Sequence, residues 1–454
     1  VQALALLLRN REEHAPSPVE GRAVREPSLL VAPMSVLGNW GREAARFAPT
    51  LKVLLHHGPE RLAKSRFARA ASQADLVVTS YALLARDRDT LSPVAWDTVL
   101  LDEAQNVKNP SSQQASAARS LKANHRIALT GTPVENHLGE LWSIFQFLNP
   151  GYLGSLQTFR ANLAIPIERL HSKGHAERLR RLVGPFLLRR AKSDPGIAPE
   201  LPPKIETTET CRLTKEQGRL YAAVVQDMMQ RIERSEGMER KGLVLATLTK
   251  LKQVCDHPVL LLKDRSKVPG RSGKLARLEE LLEEVVDEGQ RALVFTQFAE
   301  MAELLRRHLA ATLNGDVLLL HGGTPRAERE RLIARFQDPA GGPAVFVISL
   351  KAGGTGLNLT AASHVFHFDR WWNPAVEAQA TDRAHRIGQH RTVHVHPFVS
   401  AGTLEERIAE MLVSKRALAG KIIGDGEAWI TELSTDRLKE LFSLRAEVLA
   451  EDDE

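Results

Sequence analysis

The chain has 454 residues, 43% hydrophobic and 26% charged, with a net charge of +6. That length exceeds a single small domain and supports two or three with cores of their own; the modest charge permits a nucleic-acid partner without requiring one. Two cysteines, Cys211 and Cys255, exclude a disulfide framework and a cysteine zinc site and are expected as reduced intracellular thiols, and no apolar run approaches the ~20 residues that span a bilayer.

Val1 to Leu8 is apolar, lacks a basic leader or cleavage site, and reads as a helix entered partway along, so a longer parent protein is expected. Apolar runs at 29–33, 51–55, 76–80, 99–101 and 126–130 predict buried strands. The amphipathic stretches between most of them predict a parallel α/β sheet. The fourth run ends on Asp102 and Glu103. Two acids at the carboxyl end of a buried strand suit phosphoryl chemistry: the first can hold a phosphate-bound Mg²⁺ and the second can orient the attacking water. Acids also end strands for solubility alone, so the pair gains meaning from its companions.

Leu129-Thr130-Gly131-Thr132-Pro133 follows the fifth strand, with small hydroxylated residues and a glycine where the backbone turns. Residues 150–290 are mostly helical in pattern, broken around Pro195 to Pro203. His257, before Pro258, reads as a helix cap in preference to a ligand. Strand–helix alternation resumes with runs at 291–295, 317–321, 345–349, 364–368 and 392–395. Ser349 to Asn358 is glycine-rich, so its amides can approach phosphates closely. Arg383 and Arg386 lie three apart, neighbours on one helical face or turn, where a solvated face is the plain alternative. Trp371 and Trp372 before Asn373-Pro374 suit core packing. A helical tail follows Thr403, and Glu451 to Glu454 is a solvated acidic end.

In this order the segments closely resemble the Swi/Snf-type ATPases, motors of helicase superfamily two. The resemblance rests on LLVAPMSVLGNW (29–40), DLVVTSYALL (75–84), LLDEAQNVKNP (101–110), LTGTPVENHLGELWSIFQFLNP (129–150), FLLRRAK (186–192), LKQVCDHP (251–258), SGKL (272–275), ALVFTQF (292–298), the Ser349 stretch, DRWWNPAVEAQATDRAHRIGQ (369–389) and GTLEERI (402–408), and covers about residues 1 to 425. It implies two RecA-like α/β domains with helical insertions. The first spans 1–200, with a helical protrusion from about 155; a helical linker or insert spans 201–264; the second domain and its brace span 265–425; a helical and acidic tail spans 426–454.

The resemblance also implies roles. Asp102 becomes the Mg²⁺ carboxylate and Glu103 the residue that activates water. Arg383 and Arg386 become arginine fingers, reaching from the second domain to the γ-phosphate of ATP held by the first. Gln105, Gly354, Gly356 and Gln379 join Asp102 in binding the nucleotide. Thr130, Gly131 and Thr132 couple nucleotide state to the bound strand. Ser35, Trp40, Thr79, Ser80, Gln297, Ser349, Lys351 and Trp372 line the DNA backbone, where hydroxyls, amides and a lysine position without reading sequence. The implied cofactors are ATP and Mg²⁺, and the implied partner is double-stranded DNA, with no membrane.

The family's Gly-Lys-Thr phosphate loop directly precedes a helix that begins like Val1-Gln2, and the chain does not contain it. A parent protein carrying that loop upstream is expected, with this fragment inactive alone. Gln105 stands where histidine is common, a variant of bacterial-looking members, which implies a cytoplasmic protein near the nucleoid. The implied function is ATP-driven translocation on duplex DNA that displaces or remodels bound protein. A non-hydrolysing nucleic-acid clamp and an RNA helicase are the alternatives.

Overall fold

Ser28–Ala32 and Leu76–Ser80 carry no charge and are buried at every position, as strands in a sheet covered on both faces must be. In the computed structural model, which describes residues 2–13, 26–58, 61–62, 64–131, 137–170, 172–188, 190, 200–264, 267–349, 357–371, 374–410, 430–431 and 433–445, they are β1 and β3 of a parallel sheet. With β2 (Val53–Leu55), β4 (Ala95–Asp102) and β5 (Lys122–Leu129) the sheet has five strands in the order β2-β3-β1-β4-β5. All five predicted strands of this half are present.

The period of two along each strand sorts its side chains into two cores. Leu29, Val31, Val77, Val99 and Leu101 pack with Phe67, Trp96 and Phe147 on one face. Leu30, Ala32, Val78 and Leu100 pack with Leu4, Leu7 and Leu37 on the other. Each such side chain contributes roughly 1.5–3 kcal/mol when fully buried. Burial on both faces also fixes the register, since a one-residue slip would exchange the two cores. Ala32 therefore lies beside Ser80, Val31 beside Leu101, and Asp102 beside Leu129, which aligns the carboxyl ends of four strands along one edge. A satellite core of Leu141, Trp142, Phe145, Phe159, Leu179 and Val183 builds the helical protrusion.

The chain divides near residue 190 into two compact units. The second contains a seven-stranded parallel sheet, β6-β12-β11-β8-β10-β9, with β7 also paired to β12. The predicted strands are β8 (Ala292–Thr296), β9 (Val317–Leu320), β10 (Val345–Ser349), β11 (His364–His367) and β12 (Val393–Ser400). The two others, β6 (Lys204–Glu206) and β7 (Glu209–Cys211), lie in the segment expected to be a linker or insert. The Lys215–Ile232 and Gly237–Asp256 helices of that segment share a core with Leu404, Ile408, Ile430, Leu438 and Phe442. Residues 201–264 therefore belong to the second unit, because their apolar stripe of Tyr221, Met228, Val244, Leu248 and Leu251 is covered by the chain beyond β12.

That union is fastened by an inaccessible ion triad. Lys274 Nζ lies 3.0 Å from Asp256 Oδ1 and 2.8 Å from Glu405 Oε1. Burial opposes the Lys274 charge, but the carboxylates of Glu405 and Asp256 outweigh it and raise its pKa. Gly273, just before it, is required by close approach: a Cβ there would lie 1.8 Å from the Arg212 carbonyl oxygen. Cys211 and Cys255 are both free and buried. Among the described residues no helix is long and apolar enough to cross a membrane.

Candidate active site

β4 delivers Asp102 to the aligned edge, and the chain turns sharply there. Glu103 takes a left-handed conformation, φ 53° and ψ 56°, rare for a residue with a side chain and costing of order 1–3 kcal/mol. The turn is held from within. The Glu103 N–H donates to Asp102 Oδ1 at 3.0 Å, and Asn106 Nδ2 donates to the Glu103 carbonyl oxygen at 2.8 Å. Gln105 Nε2 donates to Glu103 Oε2 at 2.7 Å, while Thr130 Oγ1 donates to Gln105 Oε1 at 2.9 Å. A hydrogen-bonded chain thus runs from the second acid to the end of β5, joining Glu103, Gln105 and Thr130, with Gly131 exposed just beyond.

Two aromatic residues hold Asp102 from behind. Tyr81 Oη donates to the Asp102 carbonyl oxygen at 2.8 Å, and burial, followed by the charges of Asp102 and Glu103, raises the pKa of its phenol. Trp40 Nε1 donates to Asp102 Oδ2 at 2.7 Å. Trp40 was expected on the DNA track; its indole N–H bonds the carboxylate. The donor set at Asp102 suits Mg²⁺, a hard cation usually held by one or two carboxylates plus phosphate and water. Among the described residues no cluster of three or more His, Cys, Asp or Glu can hold a metal, so an all-protein cage is not offered there.

Three hydroxyls expected at the DNA backbone are buried here, two of them hydrogen-bonded within the fold. Thr79 is 0% and Ser80 4% exposed; Thr79 Oγ1 donates to the His56 carbonyl oxygen, and Ser80 Oγ accepts from Leu83 N to cap the Tyr81–Arg86 helix. Ser349 is buried at the end of β10. Ser80 thus serves the turn that leaves β3, whereas Thr79 ties β3 to the chain just beyond β2. Ser35 lies on the short 3₁₀ turn Met34–Val36 that precedes the Trp40 helix.

In the second unit Asp369 is fully buried, accepting from Thr296 Oγ1 at 2.5 Å and Gln297 N at 3.0 Å. Burial raises its pKa against those hydrogen bonds. Gln297 is half-buried, its amide oxygen 3.4 Å from Lys252 Nζ and its amide nitrogen 3.3 Å from the Arg370 carbonyl oxygen. Arg370 forks onto Glu377 at 2.9 and 3.1 Å, and the same carboxylate accepts from the N–H of Trp371, which is half-buried. His257 is a cap, as read: its Nδ1 accepts from Val259 N at 3.2 Å.

The two arginines differ. Arg383 is only 7% exposed, with its guanidinium 6.0 Å from the Phe295 ring centre and its Nε 3.4 Å from the Gln379 carbonyl oxygen. The expectation that both project is corrected here, because Ala380 and Ala384 on either side are drawn into the core and take Arg383 with them. Arg386 stays half-exposed. Its turn is fixed by Gln389, whose Nε2 reaches the carbonyl oxygens of Ala362 at 2.8 Å and Thr360 and Ala384 at 3.1 Å. Gly388, at φ 98°, supplies a conformation that a side chain would strain. Thr132, Lys351, Gly354, Gly356 and Trp372 lie outside the described residues.

Sequence reasoning missed Tyr81 as a support for Asp102, and it missed the Lys274 triad.

Comparison with known proteins follows the same lines. A family model for the SNF2-related domain matches residues 1–260, and one for the helicase conserved C-terminal domain matches residues 273–388. A putative ATP-dependent helicase/translocase of Bacillus subtilis is 49% identical over 424 residues, covering 93% of this chain and 46% of its own. An ISWI chromatin-remodeling complex ATPase of Arabidopsis thaliana is 33% identical over 438 residues, covering 94% of this chain and 40% of its own. The SWI2/SNF2 ATPase core of Sulfolobus solfataricus, solved in complex with dsDNA, aligns with a TM-score of 0.50 at 43% identity, covering 98% of this chain and 90% of that one. The chain thus spans about half, or less, of the length of the curated relatives it matches.

Proposed function

Because the chain belongs to the SNF2-related family of Swi2/Snf2 ATP-dependent helicases and translocases, we propose that it is the core of an ATP-driven motor that moves on double-stranded DNA. The motor displaces or remodels protein bound there, inside a bacterial cell at the nucleoid. The observation that carries this reading is the hydrogen-bonded chain Glu103–Gln105–Thr130 beside Asp102 at the strand-end edge. Glu103 orients the attacking water and takes its proton. Gln105 fixes the Glu103 carboxylate, and Thr130 fixes Gln105, so a shift of the 130–131 segment reaches the catalytic acid. Asp102 would hold Mg²⁺, which when bound offsets charge on the phosphate oxygens. Arg386 meets the charge that grows on the transferred phosphoryl group.

Duplex binding is supported by the likeness to a core solved with dsDNA. ATP turnover by the full-length protein, measured with duplex DNA and with single-stranded RNA, tests the reading. Stimulation by the duplex and not by RNA is expected. Equal stimulation by RNA would favour an RNA helicase, and binding without any turnover would favour a clamp.

A further inference from the structure

Trp40 and Asp102 are 62 residues apart in sequence, yet Trp40 Nε1 lies 2.7 Å from Asp102 Oδ2. We infer that Trp40 is a positioning residue for the metal carboxylate: its indole N–H fixes the rotation of the Asp102 side chain, so that the carboxylate is preset toward the cation. The inference rests on the reading of Asp102 as the Mg²⁺ ligand.

The geometry is specific. The other carboxylate oxygen, Oδ1, accepts from the backbone N–H of Glu103 at 3.0 Å, and the Asp102 carbonyl oxygen accepts from Tyr81 at 2.8 Å. Three donors from three directions therefore set both the main chain and the side chain of one residue. A charge-assisted hydrogen bond is about twice as strong as a neutral one. Partners of this kind, which orient a ligating group without touching the metal, commonly change metal affinity about 10–100-fold when removed. Trp40 is carried by the Leu37–Phe47 helix, whose Leu37 and Ala44 are buried in the sheet's core, so the indole is presented from a rigid element. The same helix follows directly on Met34–Val36, where Met34 is 65% exposed.

The test compares wild type, Trp40→Phe and a protein with 3-benzothienylalanine at position 40, all in the full-length protein. Benzothienylalanine keeps the ring shape and replaces N–H by sulfur, so it preserves packing where the smaller phenylalanine leaves a gap. Mn²⁺ binding in the presence of ATP is read by electron paramagnetic resonance, and duplex affinity by fluorescence anisotropy across a salt series. Both substitutions should raise the Mn²⁺ dissociation constant about tenfold or more, with duplex affinity and its salt slope within twofold of wild type. Unchanged Mn²⁺ affinity would overturn the inference, as would weakened duplex binding with a shallower salt slope, which would make Trp40 a DNA contact. Absence of Mn²⁺ binding in wild type would instead overturn the reading of Asp102 itself.

Discussion

Arg386→Ala should lower kcat by about 10³–10⁵-fold, the range an arginine finger supplies in phosphoryl transfer, while ATP and duplex affinities change little. The reasoning starts from the RAHRIGQ turn. Arg383 packs over Phe295, whereas Arg386 is presented half-exposed on a turn that Gln389 and Gly388 hold in place. Under the proposed arginine-finger role this guanidinium meets charge as it builds on the transferred phosphoryl oxygens, and interactions confined to the transition state appear in kcat. Lysine should rescue poorly, because a point charge lacks the planar fork that spans two oxygens. Single-turnover and steady-state kinetics at saturating ATP and DNA check this. Turnover within twofold of wild type would leave Arg386 a solvated surface residue.

Glu103→Gln should lower kcat by about 10²–10⁴-fold, the usual contribution of a positioned general base, and should leave ATP binding intact. The substitution preserves shape and exchanges a carboxylate for an amide that cannot take a proton. It also places an amide against Gln105 Nε2, now 2.7 Å from Glu103 Oε2. Gln105 can still donate to the amide oxygen, so the Gln105–Thr130 link should survive and the loss should be chemical. Gln105→Ala separates the two effects: it removes the positioning amide and keeps the base, and should cost less than Glu103→Gln. Equal losses would mean that Glu103 acts through its hydrogen bond alone.

Much of the fold was legible because its signals are local. Each predicted strand is an apolar run bounded by polar residues, and covering both faces of a parallel sheet forces such runs. β6 and β7 were not legible: Lys204–Glu206 is exposed throughout and three residues long, and only pairing with β12 makes it a strand. Asp102 and Glu103 stood out because two acids ending a buried strand are conspicuous. What holds them was hidden, since the Trp40 and Tyr81 bonds join residues remote in sequence. Thr79 and Ser80 show the limit from the other side. A hydroxyl at a strand end has the same spelling whether it meets a phosphate or a neighbouring backbone group, and here Thr79 bonds the His56 carbonyl oxygen and Ser80 caps a helix. Lys274, Asp256 and Glu405 look like ordinary helix-surface charges until the fold brings them together, across 131 residues in the case of Lys274 and Glu405.

Displacement of a third strand from a triplex by the full-length protein is the most direct test of a duplex motor. A labelled oligonucleotide is bound in the major groove of a linear duplex, and its release is followed with ATP, without ATP, and with the Glu103→Gln variant. ATP-dependent release that leaves the underlying duplex paired, and that Glu103→Gln abolishes, is the predicted result. Duplex-stimulated ATP turnover with no release of the third strand would contradict translocation.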